Sequence, residues 1–280
     1  MSPYDTLGEK SFWRRAVAET HPFSWTDLYE KKFEIGRTDK VATAGSCFAQ
    51  HIGNRMSRSG FAYIDAEPAP PLLSASERKS SGYGLYSARY GNIYTTRQLR
   101  QLLEEAYGLR EPAERVWRSK DRYYDPFRPS IEPNGVSTED EVLGMRQGQH
   151  LPAVRYCVER ASVFVFTLGL TEAWSSRSDG SIYQVCPGTT PGTEDVWDAD
   201  KYEFINFGFR EVIADLEAAV FLMREKNPKL RVILTVSPVP LTATASGDHV
   251  LSATIYSKSV LRAVAGELAK THEFIDYFPS

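Results

Sequence analysis

Residues 40–51, Lys-Val-Ala-Thr-Ala-Gly-Ser-Cys-Phe-Ala-Gln-His, limit the possible folds more than any other part of the chain. Before Gly45, the residues Val41, Ala42 and Ala44 are small or apolar, which is typical of a strand buried on both faces. After Gly45, apolar residues recur every four positions, as on one face of a helix: Phe48, Ile52 and Met56. Because glycine permits a tight turn, the stretch predicts a strand that passes directly into a helix.

Ser46 lies at the predicted start of this helix. Unpaired backbone N–H groups and the helix dipole favour negative charge there, so its hydroxyl is a candidate nucleophile. The N–H group of Ser46 could also help to bind an oxyanion. The alternative is that Ser46 only caps the helix, which is the more frequent role of a serine in this position. Cys47 is a weaker candidate, because the next residue of a helix points about 100° away.

Five sequence blocks, in the same order, resemble the GSCFA family. They are Gly45-Ser-Cys-Phe-Ala49, Tyr90-Gly-Asn-Ile-Tyr-Thr-Thr-Arg-Gln-Leu99, Leu168-Gly-Leu-Thr-Glu-Ala-Trp174, Ser237-Pro-Val-Pro240 and Tyr277-Phe-Pro-Ser280. The resemblance runs from about residue 30 to the last residue. The family is similar to the SGNH (GDSL-like) hydrolases. This implies a three-layer α/β/α sandwich with a mainly parallel, flavodoxin-like sheet, and a serine nucleophile at Ser46.

The hydrophobic pattern predicts the same α/β fold class. Residues 162–168 form an apolar run typical of a central strand in a parallel sheet, and residues 230–236 predict another core strand. We expect a sheet of four or five strands. Apolar residues at helical spacing predict helices over about 202–226 and 251–270. In the second of these helices the residues expected to face inward are Ile255, Val260, Leu261, Val264 and Leu268.

We expect one main domain, residues 40–280, preceded by an arm, residues 1–39, that packs on it. Residues 110–150 and 175–201 are predicted to be cap-like insertions between core elements. The first mixes arginines with aromatic residues, a composition that could bind an anionic glycan. A solvated insertion packed by its aromatic residues is the simpler interpretation. The second insertion is predicted to contain a small hairpin.

The resemblance also implies positions for an oxyanion hole. In SGNH hydrolases a glycine after the second core strand supplies an N–H group, and Gly91 matches it, with Asn92 beside it. The alternative is a turn glycine followed by a capping asparagine. SGNH hydrolases carry Gly-x-Asn-Asp after a later strand, where this chain has Thr171 and Glu172 instead. Thr171 would therefore be the side-chain donor in place of the asparagine, which departs from the SGNH pattern. Glu172 is expected either to orient a base or a substrate hydroxyl, or to cap a turn.

Among the five histidines, His249 is the best placed to act as the base. It follows Asp248 in a polar loop after the strand at 230–236, although a loop histidine is often only a surface residue. SGNH hydrolases carry an Asp-x-x-His pair beyond the strand that begins here at Phe274, and residues 1–280 contain no such pair. Three alternatives follow: the pair lies beyond residue 280, His249 serves as the base, or the triad is incomplete.

Composition excludes several other classes of function. The formal net charge of −3 gives no general attraction to nucleic acid or to an anionic membrane. No apolar run approaches the roughly 20 residues that span a bilayer, and the N-terminus lacks the apolar core of a signal peptide, so we expect a cytoplasmic protein without a transmembrane segment. The three cysteines fit neither a disulfide framework nor a zinc site. We expect neither a metal nor a cofactor.

These observations predict a serine-dependent esterase or O-acyltransferase. Its substrate would be an acyl ester, of a saccharide in bacterial polysaccharide metabolism or of another small alcohol. Ser46 would attack the carbonyl group, and His249 would move the proton. The oxyanion would be stabilised by N–H groups of Ser46 and Gly91, with Thr171 or Asn92. The alternative is a non-catalytic glycan-binding or scaffold protein on an SGNH-like fold. The sequence leaves the oligomeric state open.

Overall fold

A computed structural model describes residues 2–280 of the chain. The strands are β1 (Lys40–Gly45), β2 (Ala62–Tyr63), β3 (Trp117–Ser119), β4 (Arg122–Tyr124), β5 (Val163–Leu168), β6 (Glu172–Ser176), β7 (Ile182–Tyr183), β8 (Tyr202–Asn206), β9 (Arg231–Val236) and β10 (Ile275–Tyr277). The α-helices are α1 (Ala49–Arg58), α2 (Ala75–Ser80), α3 (Thr96–Ala106), α4 (Glu139–Met145), α5 (Leu151–Arg160), α6 (Phe209–Lys226) and α7 (Val250–Thr271).

Five strands form a parallel central sheet in the order β10-β9-β5-β1-β2. β5 lies in the middle, and all six of its residues are buried, as its continuous apolar sequence requires. It pairs with β1 from Val163 opposite Val41 onwards, and with β9 along its whole length. The predicted α/β fold with a mainly parallel sheet is therefore confirmed.

Helices cover both faces of this sheet. On one face α1 packs Ile52 and Met56 against Val41, Val163 and Val165. On the other face the larger core includes Phe164 and Phe166 of β5 together with the buried sides of α3, α5, α6 and α7. Alternate residues of each strand thus enter two separate apolar layers, which gives the three-layer α/β/α sandwich.

A smaller antiparallel sheet, in the order β7-β6-β8, lies after the central strand β5. The predicted hairpin is present as the pairing of Trp174 and Ser175 with Tyr183 and Ile182. The prediction of a helix from residue 202 was wrong, because residues 202–206 form β8. The helix α6 begins only after Gly208, whose N–H bonds to the Glu211 carboxylate.

Residues 110–150 are packed into the molecule through buried charges. Arg146 pairs with Glu105 and Asp125, and Arg128 pairs with Asp125, all as buried or nearly buried side chains. His150 is 1% exposed, and its Nδ1 lies 2.8 Å from Glu67 Oε2. The charges of Arg128 and Arg146 are therefore neutralised within the protein, and these two arginines are not free to bind an anionic glycan.

The end of the N-terminal arm contacts the edge of the central sheet. Asp276 of β10 accepts hydrogen bonds from the Tyr29 hydroxyl and the Lys32 N–H group. Arg231 of β9 reaches the Glu34 carbonyl oxygen at 2.6 Å and the Asp39 carboxylate at 2.9 Å. Residues 29–39 are thus joined to β9 and β10. The division of the chain into an arm, residues 1–39, and one main domain, residues 40–280, stays a prediction.

Candidate active site

A cavity of about 480 Å³ opens at the carboxyl-terminal edge of the central sheet. Segments that follow three neighbouring strands line it: Ser46 after β1, Gly169 after β5 and residues 239–245 after β9. The antiparallel sheet forms another wall, and Lys258 enters from α7. Parallel α/β sheets bind their ligands at this edge, so the cavity is the candidate active site.

The backbone at Gly45 sets the position of Ser46. Its φ is +136°, and a Cβ atom on Gly45 would lie 2.4 Å from the carbonyl oxygen of Thr167. Only glycine combines this conformation with so close an approach to β5. The Ser46 N–H then donates to the Thr167 carbonyl oxygen at 3.1 Å, which fixes the serine against β5.

The hydroxyl of Ser46 is buried without a partner. The residue is 2% exposed and lines the cavity, and its Oγ makes no hydrogen bond to any of residues 2–280. Most buried hydroxyls are hydrogen-bonded, because an unpaired one is costly. Ser46 therefore does not have the capping role that was its alternative, and its hydroxyl remains available to a bound molecule.

The unpaired N–H groups near Ser46 differ from those expected to form an oxyanion hole. Because the Ser46 N–H is bonded to Thr167, it is not free to bind an oxyanion in this structure. The next two N–H groups, of Cys47 and Phe48, have no acceptor within the described part of the chain. They precede α1, whose first turn leaves N–H groups unpaired. That property of helix N-termini could have identified both residues from the sequence.

Gly91 and Asn92 lie behind the cavity wall and are not among the residues that line it. Gly91 has φ +67°, and a Cβ there would meet the amide of Gln184 at 2.3 Å. The Asn92 side chain accepts a hydrogen bond from the Tyr86 hydroxyl, and the backbone carbonyl oxygen of Asn92 accepts from the side chains of Gln98 and Gln184 at 3.0 Å each. Gln98 of this block and Gln184, which follows β7, consequently line the cavity, whereas Gly91 and Asn92 do not.

Thr171 and Glu172 have different surroundings. Thr171 is fully buried, its N–H donates to Ser257 Oγ at 3.0 Å, and it does not line the cavity. Glu172 does line it and accepts a hydrogen bond of 2.7 Å from Thr244 Oγ1. Burial raises the pKa of Glu172, and the nearby charge of Asp248 raises it further. The hydrogen bond from Thr244 lowers this pKa and so offsets part of the shift. Glu172 is thus the carboxyl group of the site.

The structure does not bring His249 to Ser46. His249 is the N-cap of α7, where its Nδ1 accepts the Leu251 N–H at 3.2 Å, and it does not line the cavity. Asp248 bonds locally with Ser246, at 3.2 Å through its N–H. Among residues 2–280, no histidine lines the cavity. The expected base is therefore not assembled by these residues.

Lys258 is the cavity residue that sequence reasoning missed. Its Nζ donates a hydrogen bond of 2.6 Å to the Gly169 carbonyl oxygen. Burial lowers the pKa of Lys258 to about 8, and the neighbouring Cys47 thiol opposes the shift. One sequence signal was present: Lys258 lies three residues before Leu261 and seven before Ala265, at the edge of the buried stripe of α7.

Aromatic side chains form the wall opposite the polar groups. Trp174 of β6 pairs directly with Phe204 of β8, with ring centroids 5.8 Å apart. Trp197 supports Trp174 edge-on at 5.1 Å, and Tyr183 lines the cavity beside it. Trp174 and Phe204 are partly exposed, so their surfaces are available to an apolar face of a ligand.

The residues described here form no cluster of three or more side chains suited to hold a metal ion. Within residues 2–280, every helix is too short or too polar to cross a lipid bilayer.

Comparison with known proteins identifies a family but no individual relative. No curated protein and no solved structure matches the chain. The GSCFA family profile matches residues 40–280, a range that includes all five sequence blocks and every residue of the cavity. The chain therefore belongs to the GSCFA family.

Proposed function

We propose that this protein is a serine-dependent esterase or O-acyltransferase with Ser46 as its nucleophile. The observation that carries the proposal is the unpaired, buried hydroxyl of Ser46 at the edge of the sheet where ligands bind. A strand–turn–helix unit holds this hydroxyl next to the free N–H groups of Cys47 and Phe48. A nucleophile beside preorganised donors is the arrangement that acyl transfer requires.

In the proposed reaction, Ser46 Oγ attacks the carbonyl carbon of a bound ester. The carbonyl oxygen becomes an oxyanion, which the N–H groups of Cys47 and Phe48 stabilise near the positive end of the α1 dipole. Collapse of this intermediate releases the alcohol and leaves the acyl group on Ser46. Water or a second alcohol then accepts the acyl group, which distinguishes an esterase from an O-acyltransferase.

The shape and lining of the cavity favour a saccharide ester. Trp174 and Phe204 offer aromatic faces that can stack on a sugar ring. Gln98, Gln184 and Glu172 provide donors and acceptors suited to sugar hydroxyl groups. A role in bacterial polysaccharide metabolism and a cytoplasmic location stay predictions from the sequence.

Labelling with a fluorophosphonate, followed by peptide mass spectrometry, tests the proposal. We expect one modified serine, Ser46, and no labelling of Ser46→Ala. Ser237→Ala is the matched control, because Ser237 is a buried serine that lines the same cavity. Acetate release from a panel of acetylated saccharides would then define the substrate. Absence of labelling in the folded wild-type protein would refute an activated serine.

A non-catalytic glycan-binding protein is the second candidate. It is favoured by one observation: no histidine among the described residues lines the cavity that holds Ser46. This candidate predicts saccharide binding that survives Ser46→Ala, together with no ester turnover by either protein. Calorimetry with the same saccharide panel distinguishes the two functions.

A further inference from the structure

Gly169 connects Lys258 to Ser46. Its carbonyl oxygen accepts the 2.6 Å hydrogen bond from Lys258 Nζ. A Cβ built on Gly169 would lie 3.0 Å from Ser46 Cβ, so the two residues are in contact. Lys258 and Ser46 therefore both contact Gly169, and all three residues line the same cavity.

Lys258 has no acidic partner. Among residues 2–280, no carboxylate lies within 4.0 Å of its Nζ, and its one hydrogen bond is to a carbonyl group. Other titratable groups line the same cavity: Cys47, Tyr94, Glu172, Tyr183 and Cys186. On its own helix, Arg262 is directed away and lies 4.0 Å over the ring of Tyr277. Because Lys258 has no counter-ion among the described residues, a structural ion pair does not explain its position. Burial without a counter-ion also makes the charged form of this lysine costly.

We propose that Lys258 is the proton acceptor that activates Ser46, in the role that a histidine has in a catalytic triad. This inference rests on the proposed esterase or acyltransferase function. Lysine acts as a base when burial favours its neutral amine, and serine–lysine pairs replace serine–histidine pairs on several folds. The lowered pKa of Lys258, about 8, leaves part of the amine neutral near pH 7.5.

The proton balance of this step closes within the site. As the bond from Ser46 Oγ to the acyl carbon forms, the hydroxyl proton moves to the neutral Nζ of Lys258. When the carbon–oxygen bond to the alcohol breaks, the Lys258 ammonium returns that proton to the leaving oxygen. In the second half of the reaction, the attacking water or alcohol gives its proton to Lys258 and Ser46 Oγ recovers one.

A positioning role is the competing explanation, because the Lys258 hydrogen bond could serve only to orient Gly169. The two roles respond differently to arginine. Lys258→Arg keeps a positive donor that can reach a carbonyl group, but its guanidinium does not lose a proton at any accessible pH. A positioning lysine therefore tolerates arginine, whereas a proton acceptor does not.

The test is the second-order rate of fluorophosphonate labelling at Ser46, measured from pH 6 to pH 10 on the 280-residue chain. For the wild type we expect the rate to rise with pH and level off above about 8, since the reactive form is the neutral amine. Lys258→Met and Lys258→Arg are each expected to label roughly 100-fold more slowly, without that inflection. Lys270→Met, at an exposed lysine of the same helix, is the control and should behave as wild type. Circular dichroism confirms that each variant is folded.

The outcomes separate this inference from the function on which it rests. Labelling of Ser46 that persists in Lys258→Met, or that keeps its inflection in Lys258→Arg, would overturn the role of Lys258 and leave the serine enzyme intact. A wild-type protein that does not label would overturn both. Loss of labelling in both Lys258 variants, with Lys270→Met unaffected, is the result expected for a serine–lysine pair.

Discussion

Lys258 and Gly169 are joined by a hydrogen bond of 2.6 Å that links α7 to the end of β5. Because Gly169 also contacts Ser46, the Lys258 amine, the Gly169 carbonyl group and the Ser46 side chain belong to one set of contacts at the sheet edge. A side chain at residue 169 would disturb all three groups. The absence of a side chain is therefore as important to the site as the residues that line it.

Gly169→Ala should slow the labelling of Ser46 by a larger factor than its effect on thermal stability would explain. The new methyl group would lie 3.0 Å from both Ser46 Cβ and the Tyr94 carbonyl oxygen, so these neighbours must shift. We expect at least a roughly tenfold slower reaction, measured by fluorophosphonate labelling and compared with thermal unfolding. Gly144→Ala is the control, because a Cβ there meets nothing within 4 Å.

Gly45→Ala should destabilise the whole domain. It would force a Cβ to within 2.4 Å of the Thr167 carbonyl oxygen at a φ of +136°. We expect the free energy of unfolding to fall by more than about 2 kcal/mol in urea titrations. Gly8→Ala, in open space on the N-terminal arm, should have no such effect. Equal stabilities for the two variants would contradict the turn geometry described for β1.

Stability should respond to Lys258 in alkaline solution. Its pKa is lowered to about 8 in the folded protein, against about 10.4 for an unburied lysine. Between these values the unfolded chain binds more protons, so this group contributes stability that is present above pH 10.4 and is lost as pH falls through 8. Wild type should thus gain stability relative to Lys258→Met from pH 8 to pH 10. A pH-independent difference in urea midpoints would argue against the shift.

His150 should make the protein sensitive to acid. Burial lowers its pKa to about 4, and the charge of Arg128 adds to this, while Glu67 opposes it. The neutral ring therefore contributes stability that is present above about pH 6.5 and is lost as pH falls through 4.

His150→Gln is the variant that isolates this contribution. Glutamine does not titrate, so the dependence of the free energy of unfolding on pH between 4 and 6.5 should be weaker in this variant than in wild type. The exposed His51, replaced by glutamine in the same way, is the matched control. An unchanged acid dependence in His150→Gln would show that other groups dominate.

Trp174→Ala should weaken the binding of a saccharide. The partly exposed indole ring forms the aromatic wall with Phe204, and its loss removes a stacking surface. We expect a Kd roughly tenfold higher, measured by calorimetry on the Ser46→Ala background so that no turnover occurs. Trp13→Ala, at a tryptophan that is 77% exposed on the arm, should bind as before. An unchanged Kd would exclude this wall as the sugar-binding surface.

The sequence predicted the central sheet because its strands carry their own signal. Residues 162–168 are almost entirely apolar, as burial on both faces requires, and residues 230–236 are rich in apolar and β-branched residues. Residues 202–206 were wrongly predicted to be helical, because their aromatic and apolar residues continue into the helical spacing of α6. Pairing with β6, a contact between distant parts of the chain, makes this segment a strand.

The sequence predicted the part of the site that depends on local structure and missed the part that depends on how a helix packs. Ser46 follows from a local turn, so its position was accessible to sequence reasoning. Lys258 was missed because Ile255 was assigned to the inward face of α7, whereas it is 59% exposed. The buried stripe instead runs through Ala253, Ser257 and Leu261, and it carries Lys258 at its edge. Which polar residue of a helix faces a cavity depends on how that helix is rotated, and the apolar pattern alone did not fix this.

The cavity described here draws its residues from opposite ends of the chain. Ser46 comes early, whereas Lys258 lies in the last helix, after both β5 and β9. Contacts between such distant residues form late, after much of the loop-closure entropy has been lost. A refolding intermediate that lacks α7 would hold an exposed serine without its lysine. The chemical reactivity of Ser46 would consequently report on completed folding, and newly synthesised chains would stay inert until their final segments had docked.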